Sequence, residues 1–496
     1  MAGLEDPHRL EEIDDRLERA EERTRVIGMA VDQVMFVVTT SRGDDSCRAN
    51  RQGVHMPTRR ETLMGGVLAG AALWPGQRSA AATAAATRVD SSSGGAPRPE
   101  PPGQPGRDYT PVITPSGASL PWRVIDGVKV YHLVAEEVEH TFAPGLVARC
   151  WGYNGRVHGP TLEAVEGDRV RVYVTNRLAA ATTVHWHGVY LPNGMDGVGG
   201  LNQRAIQPGE TFRYEWVWKQ HGTFMYHAHH DEMTQMAMGL MGMIVVHPRR
   251  PATEDRVDRD FAFMLSEWKI TPGTRRPDPN EMTDFNVLTM NAKAFPGTEA
   301  LVCRQGDRVR IRFGNLSAMD HHPIHLHGYH FEVIATDGGP VPPSARQPET
   351  TVLVATGSTR DVRFVADAPG DWAMHCHMTH HVMNQMGHGV PSMIGVQAGD
   401  LTRRIAALVP GYMSMGEAGM GDMAEMGMPV PPNSIPMVGG RGPFDVITMG
   451  GMFSILKVRA GIGSYDDPGW YDHPPGTRAE AATAEALARD GIEVPR

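Results

Sequence analysis

From Tyr109 onward, short runs of alternating apolar and polar residues are broken by Gly, Pro and Asn. Alternation of this kind puts one set of side chains on each face of an extended strand. The pattern predicts strands at Val124–Ala135, Arg169–Thr175, Thr211–Val217, Ile244–His247, Phe261–Leu265, Arg308–Phe313, Phe331–Ala335 and Thr359–Val365. Their spacing favours antiparallel sandwiches over βαβ units, and therefore an all-β fold. Residues 478–490 are Ala-rich and predict a short terminal helix.

The pattern occurs twice. Gly167-Asp168-Arg169-Val170-Arg171 returns as Gly306-Asp307-Arg308-Val309-Arg310, an offset of 139 residues. His185-Trp186-His187-Gly188 returns as His325-Leu326-His327-Gly328 at an offset of 140. Gly222 through Tyr226-His227-Ala228-His229 returns as Gly370 through Met374-His375-Cys376-His377 at an offset of 148. Three matched blocks in one order mean two tandem copies of a β-sandwich domain. The boundary falls in the Pro-rich, charged stretch Pro248–Arg259, which gives domains at 109–250 and 251–400. Residues 401–496 read as an irregular extension, where Met413, Met415, Met420, Met423, Met426 and Met428 alternate with Gly and acidic residues.

The N-terminus has a different texture. Residues 1–55 carry a dense mixed charge run, either an exposed helix or sequence upstream of the true start. The second reading fits better, because a segment with the character of an export signal begins directly after it. Residues 56–86 combine Arg59-Arg60, an apolar run from Met64 to Trp74 and a small-residue zone at Ala80–Ala86. That three-part pattern resembles a twin-arginine export signal, and it implies a periplasmic or extracellular site of action. Residues 87–108 read as a flexible Ser, Gly and Pro linker. No stretch is apolar enough to predict a transmembrane helix.

Composition changes the picture at two points. A net charge of −10 without a basic block argues against a nucleic-acid partner. Among 496 residues, 30 Met and 23 His supply many copper-competent side chains, while four Cys are too few for a disulfide scaffold. Cys47 lies in the presequence, and pairing of Cys150 with Cys303 stays open.

Each domain copy carries two His-x-His elements. Residues i and i+2 of a strand share a face, so each element aims two imidazoles at one point. The eight are His185, His187, His227, His229, His325, His327, His375 and His377, more than any single ion takes up. Cys376 lies between the last two, His381 follows five residues later, Met386 ten residues later, and His322 opens His322-Pro323-Ile324-His325-Leu326-His327. Two His, one Cys and a weak axial Met form the ligand set of a blue-copper site.

Together, His-Trp-His-Gly, His-Pro-x-His-Leu-His-Gly and His-Cys-His-x3-His-x4-Met resemble the multicopper oxidases of the laccase-like family. The resemblance covers about residues 120–400. It implies two cupredoxin-like Greek-key domains and four coppers per chain. His322, Cys376, His381 and Met386 would hold type 1 copper, and His185 and His325 type 2. His187, His227, His229, His327, His375 and His377 would hold the type 3 pair. It also implies O2 and a small reducing substrate as partners. Asp196, eleven residues after His185, stands where the family keeps a proton-relay carboxylate. Relatives with a Glu directly after the last type 1 His are not matched, because Val382 stands there.

The offsets align His322 with Thr182, Cys376 with Ala228, His381 with Met233 and Met386 with Met238. The first domain therefore lacks a type 1 site, and the chain resembles a two-domain laccase. A homotrimer, with each cluster shared between neighbouring chains, follows from that resemblance. The leading expectation is oxidation of phenols, aromatic compounds or metal ions coupled to O2 reduction. The alternatives are a cuprous oxidase and a copper-binding protein of copper tolerance, in which thioethers capture Cu(I).

Overall fold

A computed structural model describes residues 100–384 and 432–494, together with the isolated positions 404 and 407. The signal-like segment, Met386 and the six extension methionines lie outside the described residues. Each domain places its histidines on one sheet. In the first domain these strands are β1 (Gly159–Val165), β2 (His185–His187), β3 (Gly222–His227) and β4 (Met241–His247), in the order β1-β4-β3-β2. In the second they are β5 (Leu301–Arg304), β6 (His322–Leu326), β7 (Thr351–Val354), β8 (Gly370–Cys376) and β9 (Phe453–Arg459), in the order β5-β9-β8-β6-β7.

The duplication extends to register. His185 pairs with His227 across β2 and β3, and His325 pairs with His375 across β6 and β8. The Gly-Asp turns match as well. Asp168 accepts the backbone N–H of Val165 at 3.0 Å, and Asp307 accepts that of Arg304 at 2.8 Å. Each carboxylate closes the turn three residues back, which is why both repeats begin on that dipeptide. Gly188 and Gly328 follow the paired His-x-His elements at φ 82° and 75°. A Cβ on Gly328 would lie 2.4 Å from the Trp372 ring, so the turn that releases His327 requires glycine.

Opposite these sheets lie second sheets built from Val128–Ala143, Arg169–Asn176 and Thr211–Val217 in the first domain. Arg259–Trp268, Arg308–Asn315 and Thr359–Val365 serve in the second. The two sandwiches enclose separate apolar cores, one around Trp186, Tyr226 and Leu133 and one around Phe263, Ile311 and Leu456. Cys150 and Cys303 are buried and free, so no disulfide joins them. A short helix, α1 (Glu232–Ala237), follows β3, and α2 (Ala484–Arg489) sits within the stretch predicted as helical, capped by Thr483.

Four boundaries differ from the sequence expectation. The strand predicted at Val124–Ala135 is two strands, because Asp126 and Gly127 take φ 50° and 75° and turn the chain back as a hairpin. Residues 100–108 are not a free linker: Pro102 and Gly103 are buried, and the Gly103 N–H donates to Asp168 at 3.0 Å. Val112–Ile113 joins the second domain's sheet beside Asp260 and Phe261, although the sequence places it in the first domain.

The largest difference concerns residues beyond 400. β9 pairs with both β8 and β5, as β4 pairs with β3 and β1 in the first copy. The second domain therefore closes only after residue 453. Thirteen residues separate β3 from β4, whereas 76 separate β8 from β9. In chain order, the Met-rich stretch is an insertion between two paired strands and not an appended tail. Ending the chain at residue 440 should remove four apolar side chains of β9, Phe453, Ile455, Leu456 and Val458, that are all buried. At about 1.5–3 kcal/mol each, that loss is comparable with the whole of a typical folding margin. Urea unfolding followed by near-ultraviolet circular dichroism should show no cooperative transition for the second domain. A midpoint equal to that of the full chain would exclude this role for β9.

Candidate metal centre

The second domain gathers His322, Cys376 and His381 into a fully buried triad. The Nδ1 atoms of the two imidazoles lie 3.2 Å apart, and Cys376 Sγ lies 3.8 Å from His322 Nδ1 and 3.4 Å from His381 Nδ1. The outer nitrogens are held from behind. His322 Nε2 meets Ser317 Oγ at 2.7 Å, and His381 Nε2 lies 3.3 Å from Asp320. Both Nδ1 atoms therefore converge with the sulfur, as a single ion requires. Burial, followed by the neighbouring His381, holds His322 well below the usual imidazole range. Burial pushes the Cys376 thiol up to about 12. A buried thiol and two imidazoles converging on one point suit a soft cation that displaces the thiol proton. The donor set fits copper.

The eight histidines of the His-x-His elements form two quartets. In the first, His185 lies 5.8 Å from His187, 5.4 Å from His227 and 5.4 Å from His229, measured between ring centres. In the second, His325 lies 4.8 Å from His327, 5.7 Å from His375 and 5.6 Å from His377. His327 Nε2 and His375 Nε2 approach to 3.2 Å. Carbonyl groups fix the tautomers. His227 Nδ1 donates to Ala228 O at 2.9 Å and His375 Nδ1 to Cys376 O at 2.8 Å, an equivalent bond in each copy. His185 Nδ1 donates to Asp196 O at 2.9 Å and His325 Nδ1 to Thr350 O at 2.7 Å. All four leave Nε2 unprotonated for a ligand, opposite to the pattern in the buried triad. Burial lowers His227 to about 3 and also lowers His187, His327 and His375, so these rings are neutral and able to coordinate.

Among the described residues, no ring contact joins the two quartets within the chain. His327 and His377 are exposed, and the first quartet opens into a cavity of about 560 Å³. Asp196 sits beside the first quartet, its Oδ1 3.5 Å from His185 Nδ1. The first domain fills its vacant triad position differently from the simple offset. Met233, aligned with His381, is exposed, and the buried Gln235 hydrogen-bonds Thr182 at 2.6 Å in its place.

Several supporting residues escaped sequence reasoning. Ser317, Asp320 and Glu232 are ordinary loop and helix residues until the fold brings them to His322, His381 and the pair His227 and His229. Met452 bridges two ligands through its backbone: its N–H donates to His381 O at 3.0 Å and its O accepts from Cys376 N at 3.1 Å. Only the second copy's equivalence to the β3-β4 hairpin would have signalled it. Replacing Ser317 by Ala should free the His322 ring and weaken copper retention by about 10–100-fold, the usual cost of a lost outer partner. Chelator competition measures this, and an unchanged affinity would reduce Ser317 to a space filler.

Sequence models of the family described as multicopper oxidase match residues 135–251 and 271–394. Copper resistance protein A of Escherichia coli is 31% identical over 238 residues, which cover 38% of this chain and 39% of that protein. Laccase-15 of Oryza sativa subsp. japonica is 31% identical over 277 residues, covering 52% of this chain and 45% of that protein. The chain thus spans less than half the length of these curated relatives. The crystal structure of the blue copper oxidase from Nitrosomonas europaea is 26% identical, with a TM-score of 0.49, covering 66% of this chain and 85% of that one.

Proposed function

This chain belongs to the multicopper oxidase family, and on that premise we propose that it is a laccase-like oxidase. It couples one-electron oxidation of phenolic or aromatic compounds, or of metal ions, to four-electron reduction of O2 to water. The observation that carries this reading is the placement of Cys376. Its sulfur enters the buried triad while its two covalent neighbours, His375 and His377, enter the second quartet. Copper, when bound, supplies the one-electron redox chemistry and the site of O2 reduction. The triad residues His322, Cys376 and His381, with Met386, would hold type 1 copper. His185 and His325 would hold type 2 copper, and the other six histidines the type 3 pair, giving four per chain. The Cys376 backbone gives a short covalent path between the two sites. Asp196 orients His185 through its carbonyl and offers its carboxylate as a proton relay. Residues 56–86 would export the chain as a twin-arginine signal.

Substrate choice within this reading is tested by O2 uptake with Cu(I), Mn(II) and a methoxyphenol side by side. Cys376→Ser should abolish the blue absorption and cut uptake to background, while the histidine quartets still load copper. A blue, active Cys376→Ser protein would sink the assignment. The name of the Escherichia coli relative favours one second reading, a copper-binding protein of copper tolerance. Weak uptake with many labile coppers would select it.

We also infer a homotrimer. Each quartet is open and the two do not meet within the chain, so a neighbour's second domain can complete the first domain's quartet. A heterologous contact of this kind closes into a ring. Sedimentation of the copper-loaded protein should give three chains per particle. A monomer with full O2 uptake and four coppers would overturn the shared cluster.

A further inference from the structure

The cavity beside the first quartet holds a group that the copper sites do not use. Glu267 lies near the end of Arg259–Trp268 and is 6% exposed. Its Oε1 accepts the backbone N–H groups of Met319 at 2.7 Å and Asp320 at 3.3 Å. Its Oε2 is buried and accepts from no backbone N–H, with the Asp320 carboxyl as its polar neighbour. Such an oxygen is costly to bury, more so as an anion than as a neutral acid. Glu267 lines the same cavity of about 560 Å³ as His185, His187, His227 and His229. That volume admits many waters, at roughly 30 Å³ each.

We propose that Glu267 is an internal acid that passes protons through cavity water to oxygen reduced at the first quartet. The proposal rests on the oxidase reading. O2 takes up four electrons from the reductant and four protons to give two waters. In each passage the carboxyl O–H bond breaks, an O–H bond of product water forms, and the carboxylate recovers a proton from solvent by the same water.

The electrostatics agree. Burial, followed by the neighbouring Asp320, pushes Glu267 well above the usual carboxylate range, which favours its protonated form. The charged and titratable groups around it are few. Asp320 faces it from the loop before β6, and across the cavity stand the four histidines and Glu232 of α1. His158 contacts the adjacent Ser266 at 2.9 Å.

Glu267→Gln separates this role from a structural one, because the amide oxygen still accepts from Met319 and Asp320 but cannot release a proton. In the copper-free protein, infrared difference spectra should show a protonated-carboxyl C=O band that titrates above the usual carboxylate range and is lost in E267Q. In the copper-loaded protein, E267Q should slow O2 reduction by about 10²-fold, a normal share for a positioned acid, with unchanged blue absorption and unchanged anaerobic reduction by substrate. Glu267→Asp, which keeps the acid, should recover part of the rate. No titrating band, or equal O2 rates in E267Q and wild type, would overturn the relay alone. Equal losses in both half-reactions would overturn it in favour of a packing role. A wild-type protein without O2 uptake would overturn the oxidase reading and the relay together.

Discussion

A strand sends successive side chains to opposite faces, and the chemistry of this protein depends on that constraint at residues 375–377. Cys376 must enter the buried triad while His375 and His377 enter the quartet, so the strand separates two sites by the thickness of one sheet. Neither site can move without the other. Everything near β8 serves to hold its register. β6 pairs along one edge and places His325 opposite His375, and β9 pairs along the other. The backbone of Met452 then ties Cys376 to His381, whose loop would otherwise be free to swing its imidazole away from the sulfur.

The first quartet is held relative to the second domain by a different device. Arg312 is fully buried and makes a bidentate pair with Asp260 at 2.8 Å on both arms, with Asp361 at 3.0 Å beyond. The same guanidinium donates to Thr223 at 2.8 Å. Thr223 lies on β3, four residues before His227, so the charge cluster of one domain grips the strand that carries the other's ligands. Such a cluster adds little net stability over an apolar packing of equal volume, but losing one partner strands a buried charge at about 3–5 kcal/mol. Its effect is therefore orientation. Around it Met225, Met241, Met243 and Met264 pack against Ala262 and Leu316, which makes part of the methionine bias ordinary filling between irregular surfaces.

The sequence made the histidine sites legible to a degree unusual for a fold of non-local contacts. His-x-His carries its own geometry, because strand periodicity alone decides which residues share a face, and duplication shows which pairs belong together. What periodicity cannot give is distance across the chain. Ser317 supports His322 at the start of β6 and Asp320 supports His381 beyond the end of β8, and nothing in their local pattern marks them. Glu267 lies beyond the strand expected at Phe261–Leu265, and only burial shows its carboxyl to be in the wrong place for a surface charge. Asp126-Gly127 should have split the predicted strand at Val124–Ala135, since that dipeptide is a hairpin signal in itself. The missed β9 is instructive in another way. Phe453–Arg459 has strand character, but 76 residues of intervening chain hid its kinship with β4.

That distance has a consequence for the methionine-rich stretch. The repeat requires a fourth strand, so the chain must return to β8 however far it travels. Closing a longer loop costs little, about 0.6 kcal/mol for each doubling, which lets a large insertion persist at this point. The two ends of the excursion meet beside the triad: the Asn384 N–H donates to Met437 O at 2.8 Å, and the Gly450 N–H to Val382 O at 2.7 Å. The chain on either side of the methionine-rich stretch is therefore tied back to the residues following His381. An appended tail would dilute its thioethers through the volume a free end explores. An insertion joined at both ends to a closed domain gives the chain less freedom than a free end of the same length would have.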